Sequence, residues 1–154
     1  MKKYSSLFWY VALFMLVLLT DRATKFFALF YNFKNYKITS FLRFELLFNR
    51  GMSWGMFGSD VPIIFFAVSL FIVLITIAIA FYAYSRFRDG HVIIGEVMAI
   101  AGSVSNIVDR ILYGGVIDFI VLHAGSWSWP VFNVADIFIV VGIFIVFIGI
   151  WSKN

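Results

Sequence analysis

The sequence predicts an all-α membrane protein: four transmembrane helices and one short strand lying at the membrane interface. Three observations predict this. Hydrophobic residues make up 63% of the 154-residue chain and charged residues only 13%, and mean hydropathy is +0.99, outside the range of soluble domains. Four stretches, about 4–25, 61–85, 92–112 and 131–151, approach the ~20 apolar residues that carry a helix across a bilayer. Between the first two, Leu42, Phe44, Leu46 and Phe48 alternate with other residues at period two, the mark of a half-buried strand. The length fits a single domain, 1–154.

The first span opens with Lys2 and Lys3 and runs uncharged to Thr20. No small-residue cleavage site follows, so an uncleaved helix is expected rather than a removed leader. It ends in Asp21–Lys25, where Asp21 and Lys25 share a helix face. Lys25 reads as a surface ion-pair partner that snorkels to water, and Asp21 as a deeper residue able to support a site. The strand cannot cross a bilayer alone, because its backbone groups would lack partners. Gly51 and Gly55 follow it as turn residues. Asn49, at its end, reads either as a turn former or as an amide aimed at a bound peptide.

Pro62 falls in the first turn of the second span, where a missing N–H does no harm. Arg86–His91 reads as a polar loop. The third span holds Glu96 near its start, then Ala99, Ala101, Gly102, Ser103 and Ser105, small residues that let helices approach closely. Gly114–Gly115 ends it, and Asp118 follows in a segment that is still apolar. His123–Ser128 reads as a second outer loop. Trp129 and Trp151 would lie roughly 33 Å apart along a helix, suiting two aromatic belts.

Four spans put both termini on one side, with Lys2, Lys3, Arg86, Arg88 and Lys153. Lys34, Lys37, Arg43 and Arg50 fall opposite, so the positive-inside bias is weak, and the termini are placed in the cytosol. The net charge of +4 forms no basic stripe, which argues for membrane-surface contact and against nucleic acid. No cysteine is present, excluding disulfides and thiolate chemistry.

This topology gathers Asp21, Asn49, Asn106, Asp109, Arg110, Asp118, Asn133 and Asp136 at one depth. Ionisable residues at membrane depth are functional candidates. A structural polar network is the competing reading, and Asp109 beside Arg110 suits it. Two carboxyls facing each other in a low-dielectric cleft share a proton. The ionised member can deprotonate water, while the protonated one polarises a carbonyl. Asp118 and Asp136 suit this pair, each set where a helix meets an irregular segment. A serine–lysine arrangement from Ser103 or Ser105 with Lys25 lacks a nucleophile elbow. A metal site would need His91 and His123, which fall on opposite sides. An ion pathway is the strongest rival outside enzymes, but it leaves the cytosolic halves of the spans apolar.

Four blocks in order, DRATK, NRGMSWG, NIVDRILYGGVIDFI and FNVAD, make the chain resemble lipoprotein signal peptidase, the bacterial type II signal peptidase, over nearly its whole length. The resemblance implies an aspartyl protease of the inner membrane with Asp118 and Asp136 as the catalytic dyad. It implies that Asp21, Asn49, Asn106, Asp109, Arg110 and Asn133 support substrate and dyad, and that the strand belongs to a small extracytoplasmic β-sheet. The expected substrate is a prolipoprotein carrying diacylglycerol on its cysteine, cut just before that cysteine, with acyl chains between helices among the membrane lipids. No cofactor, metal, nucleic acid or obligate protein partner is implied. Met52, Ser53 and Trp54 stand where the family usually has Ala, Ala and Phe, and Ser105 where it has glycine.

Overall fold

A computed structural model describes residues 2–51, 62–125 and 127–151, with side chains over 7–51, 62–125 and 127–150. Met52, Ser53, Trp54, Gly55, Lys153 and the side chains of Lys2, Lys3 and Trp151 lie outside the described residues.

Among the described residues are four α-helices and four strands: α1 (Lys2–Tyr31), β1 (Tyr36–Lys37), β2 (Leu42–Asn49), α2 (Pro62–Arg88), α3 (Ile94–Tyr113), β3 (Val116–Ala124), β4 (Trp127–Ser128) and α4 (Val134–Trp151). The strands form one antiparallel sheet in the order β1-β2-β3-β4. The α3 helix is the hub, packing against α1, α2 and α4.

The distribution of side chains is inside out. Asp21, Lys25, Glu96, Asp109, Arg110, Asp118 and Asn133 are buried, while Phe8, Leu16, Phe66, Phe71, Phe81, Val140 and Phe144 are exposed. Apolar surface on this scale needs an apolar environment. Two helices are long and apolar enough to cross a membrane, over Leu7–Tyr31 and Pro62–Arg88.

Element boundaries differ from the sequence expectation in four places. First, α1 does not end at Lys25 but continues to Tyr31, because its charges are neutralised internally. It stops where Asn32 takes a left-handed φ of 46°. Second, Arg86 and Arg88 belong to the last turn of α2 rather than to a loop. Basic groups there complement the helix dipole, and Arg86 pairs with the buried Glu96 of α3. Third, Asp118 lies on the regular strand β3, not on an irregular segment. That strand runs to Ala124 and pairs with β4, so much of the expected His123–Ser128 loop is a hairpin.

Fourth, α4 starts at Val134, not at residue 131. The chain ahead of it is extended, with Phe132 bridging Ile120 through N–H···O bonds of 3.0 and 2.8 Å. Trp129 therefore precedes the helix, its N–H donating to the Leu122 carbonyl at 2.7 Å.

Two features aim the site. Gly114 closes α3 at φ 65°, a left-handed turn that suits glycine and swings the chain directly into β3. In β2 the register slips between Phe44, opposite Ile120, and Leu47, opposite Asp118. This bulge inserts one residue. Without it Leu46 would oppose Asp118 and Asn49 would point to the other face, since side chains alternate. With it, Asn49 opposes Val116 and shares the face of Asp118. The bulged strand is braced where Leu46 N–H donates to the Phe33 carbonyl at 2.9 Å.

Candidate active site

Asn133 and Asp136 begin as local structure. Asn133 precedes the first residue of α4, and its Oδ1 accepts the Asp136 N–H at 3.0 Å. The Asp136 carboxylate returns the bond, accepting the Asn133 N–H at Oδ2, 3.1 Å away. This is a reciprocal capping box. It leaves Oδ1 of Asp136 free to accept Nδ2 of Asn106, from α3, at 2.9 Å.

The second carboxyl, Asp118, sits in the middle of the sheet and is 1% exposed. Its Oδ1 accepts Nδ2 of Asn133 at 2.6 Å, and its Oδ2 accepts Nδ2 of Asn49 at 2.9 Å. Asn133 thus touches both acids, one through its side chain and one through its backbone. Burial first, then the negative charge of Asp136, pushes the Asp118 carboxyl up to about 7, against the opposing pull of the two amides and of Lys25.

Beneath this pair lies a second polar cluster. The Lys25 ammonium, 1% exposed, contacts Asp21 Oδ2, Asp109 Oδ2 and Asn106 Oδ1, each at 2.7 Å. Its three protons therefore have three acceptors. Arg22 donates to Asp109 Oδ1 at 2.5 Å, and Ser105 Oγ donates to Asp21 at 2.6 Å. Each acid also holds backbone: Asp21 accepts the Ala135 N–H at 2.7 Å in the first turn of α4, and Asp109 accepts the Ile117 N–H at 3.2 Å, beside Asp118.

Two expectations are corrected here. Lys25 is not a surface group reaching water; it is buried and joins α1 to α3, because two carboxylates and an amide replace its hydration. Asp109 does not pair with Arg110. On a helix, adjacent residues face different ways, and Arg110 instead donates Nη2 to the Gly51 carbonyl at 2.5 Å and lies 5.6 Å from the Phe65 ring centroid. The serine–lysine arrangement also has no geometry: Ser103 is bonded to Thr76 at 2.5 Å, and Ser105 to Asp21. Sequence reasoning missed Arg22 altogether. Its only signal was its place next to Asp21, which does not reveal a partner 87 positions away.

Asp118 and Asp136 line a cleft of about 590 Å³ with Asn49, Asn106 and Arg110. Most of the rest of the lining is apolar, including Ile72, Ile75 and Ile79 of α2 and Ile139, Val140 and Ile143 of α4. A polar head over an apolar trough suits a ligand with a reactive polar group and a long apolar part.

Two solved bacterial membrane enzymes share this fold. One, determined by the in meso method at 2.3 Å, superposes with a TM-score of 0.76 at 23% identity, over 94% of this chain and 88% of that one. The other, at 1.9 Å, gives 0.73, also at 23% identity, over 94% of each chain. The shared fold sets the carboxyl-lined cleft among helices whose outer faces are apolar. The chain belongs to the signal peptidase II family, whose profile, Signal peptidase (SPase) II, matches residues 13–152. Its relatives include the lipoprotein signal peptidases of Thermodesulfovibrio yellowstonii, 37% identical over 83% of this chain and 84% of that protein, and Polynucleobacter necessarius, 34% identical over 97% and 93%. That of Methylobacterium radiotolerans is 35% identical over 84% and 77%.

Proposed function

We propose that this protein is a metal-independent aspartyl endopeptidase that removes the signal peptide from diacylglyceryl-modified prolipoproteins, cutting just before the lipidated cysteine. The observation that carries the reading is the pair Asp118 and Asp136, both held by Asn133 at the polar head of an apolar cleft. Family membership supports a prolipoprotein as substrate. The trough suits its acyl chains or the apolar stretch of its signal peptide.

In this reading the chain is one peptidase domain, 1–154, with four membrane spans in the bacterial inner membrane. Both termini are cytosolic, and the sheet and dyad lie on the extracytoplasmic side. The exposed apolar surface of all four helices supports four spans, although α3 is interrupted by charge and α4 is short. Asp21 and Asp109 brace α4 and β3, Asn49, Asn106 and Asn133 orient the dyad, and Arg110 faces the substrate backbone near Gly51.

The chemistry follows from the two environments. Asp136, in the first turn of α4, gains from the helix dipole as an anion; Asp118 carries the proton. Asp136 takes a proton from water as its oxygen bonds to the scissile carbonyl carbon. Asp118 gives its proton to the carbonyl oxygen, forming a neutral gem-diol. Asp136 then returns its proton to the leaving nitrogen, the C–N bond breaks, and the gem-diol's proton restores Asp118. All four carboxylate oxygens of the pair already receive amide donors, so the acids are oriented by protein groups alone.

Purified wild type, Asp118→Asn and Asp136→Asn are compared on a diacylglyceryl prolipoprotein in detergent with a chelator present. Wild type should cut before the modified cysteine, and each variant should lose at least about a thousandfold in turnover while remaining folded. Cleavage by either variant near the wild-type rate would remove the dyad assignment, and inhibition by the chelator that metal reverses would remove metal independence.

A further inference from the structure

Three asparagines hold the dyad, and an asparagine can present either its oxygen or its NH₂ to a carboxylate. The wrong choice sets lone pair against lone pair, so something must fix each amide. For Asn49 it is the Gly51 N–H, which donates to Oδ1 at 2.9 Å. For Asn133 it is the Asp136 N–H, which donates to Oδ1 at 3.0 Å. A backbone N–H only donates, so in both cases the NH₂ is forced toward an acid.

Asn106 has no backbone donor of this kind. Its Oδ1 accepts the Lys25 ammonium at 2.7 Å and, more weakly, Nδ2 of Asn133 at 3.2 Å. An ammonium is also donor-only. We infer that Lys25 is a positioning residue that locks the Asn106 amide with its NH₂ toward Asp136, and so sets the base of the dyad from the far side of α3. This rests on the reading of Asp118 and Asp136 as the dyad. The geometry fits the role: Lys25 is fully buried, its two other protons are taken by Asp21 and Asp109, and Asn106 Nδ2 reaches Asp136 Oδ1 at 2.9 Å. The charge cluster is thereby linked to the dyad through one side chain.

A double-mutant cycle tests this. Lys25→Met should lower kcat at least about tenfold with KM within about twofold, because only the weaker 3.2 Å bond from Asn133 is left to orient the amide and the substrate contacts stay. In an Asn106→Ala background the same change should alter kcat less than about twofold, since there is no amide left to orient. Arg22→Gln, in the same cluster but without contact to Asn106, should instead multiply with Asn106→Ala. If Lys25→Met does not fold, the charge-balanced pair Lys25→Met with Asp109→Asn replaces it in the cycle, leaving Asp21 opposite Arg22. Multiplicative losses for Lys25 and Asn106, or a loss confined to KM, would overturn the inference. Asp118→Asn is assayed alongside: activity there would overturn the dyad reading instead, whatever the cycle gives.

Discussion

Two acidic pairs flank Asn106 of α3 and are built by opposite rules. Asp21 and Asp109 face cations: Lys25 lies 2.7 Å from each, and Arg22 lies 2.5 Å from Asp109. Two negative charges meet two positive ones, and backbone N–H groups of β3 and α4 fill the remaining lone pairs. Asp118 and Asp136 face three neutral amides instead, and Arg110, the cation on the same cleft, donates to the Gly51 carbonyl rather than to them. Amides orient a carboxylate but bring no charge. The first pair is therefore matched by cations, while the second is short of positive charge, and burial with the charge of Asp136 lifts the Asp118 carboxyl above its ordinary range. In the proposed reading the same residue type becomes scaffold or acid–base machinery according to its neighbours.

The sharpest way to break this contrast is to remove a charge from the compensated side. Asp109→Asn takes away the nearer of Arg22's two carboxylates, leaving Asp21 at 3.8 Å, and places an excess positive charge beside the buried Lys25. Removing one partner of a buried ion pair typically costs about 3–5 kcal/mol. Asp109→Asn should thus lower the melting temperature in detergent far more than Asp118→Asn does. Equal melting of the two variants would mean that the clusters are not built differently.

A smaller effect should come from the α3–α4 seam, about two helical turns along α3 from the clusters. Gly142 of α4 packs so closely on α3 that a Cβ there would lie 2.5 Å from the Gly95 carbonyl and 2.9 Å from the Ala99 N. These are backbone atoms that cannot step aside. Gly142→Ala should push α4 away from α3, lengthening the Asn106–Asp136 bond while leaving the contacts of Lys25 with Asp21 and Asp109 intact. Expected is a loss of about 3 kcal/mol in stability, with turnover falling by more than the folded fraction accounts for. Wild-type turnover per folded molecule would show that the α3–α4 spacing does not matter to the dyad.

Most of the site was legible in the sequence because polar residues in apolar runs are costly and stand out. Asn106, Asp109, Asp118, Asn133 and Asp136 declared themselves in this way, and the structure gathers them. The helices were legible for a related reason, since long apolar runs leave few alternatives. Pairing was not legible. Nothing local says that Lys25 turns inward to Asn106, 81 positions away, or that Arg22 rather than Arg110 meets Asp109. The bulge in β2 was hidden too: alternation in Leu42–Phe48 reads as unbroken, yet one inserted residue decides whether Asn49 faces Asp118. Sheet register depends on the partner strand, and the partner lies about 70 residues downstream. The length of α1 was misjudged because charges that look terminal in sequence are neutralised in three dimensions.

The gentlest test of the contrast is to follow the proton itself. The ordinary carboxyl value for Asp118 is 3.8, and burial together with Asp136 lifts it to about 7 in the folded protein. Between those values the folded state holds a proton that the unfolded chain has released, so stability falls as pH rises. The contribution is fully present below about pH 4, is lost as pH rises to about 7, and is flat above that. Asp118→Asn carries no such proton. It also brings an NH₂ against one of the two amide donors, which is a fixed cost at every pH. The difference in melting temperature, variant minus wild type, should therefore increase from pH 5 to pH 7.5 by an amount corresponding to about 2 kcal/mol, or ~5 °C for a chain of this size. Parallel melting curves across that range would take the proton away from Asp118 and leave Asp136 as the acid of the pair, with the order of proton transfers reversed.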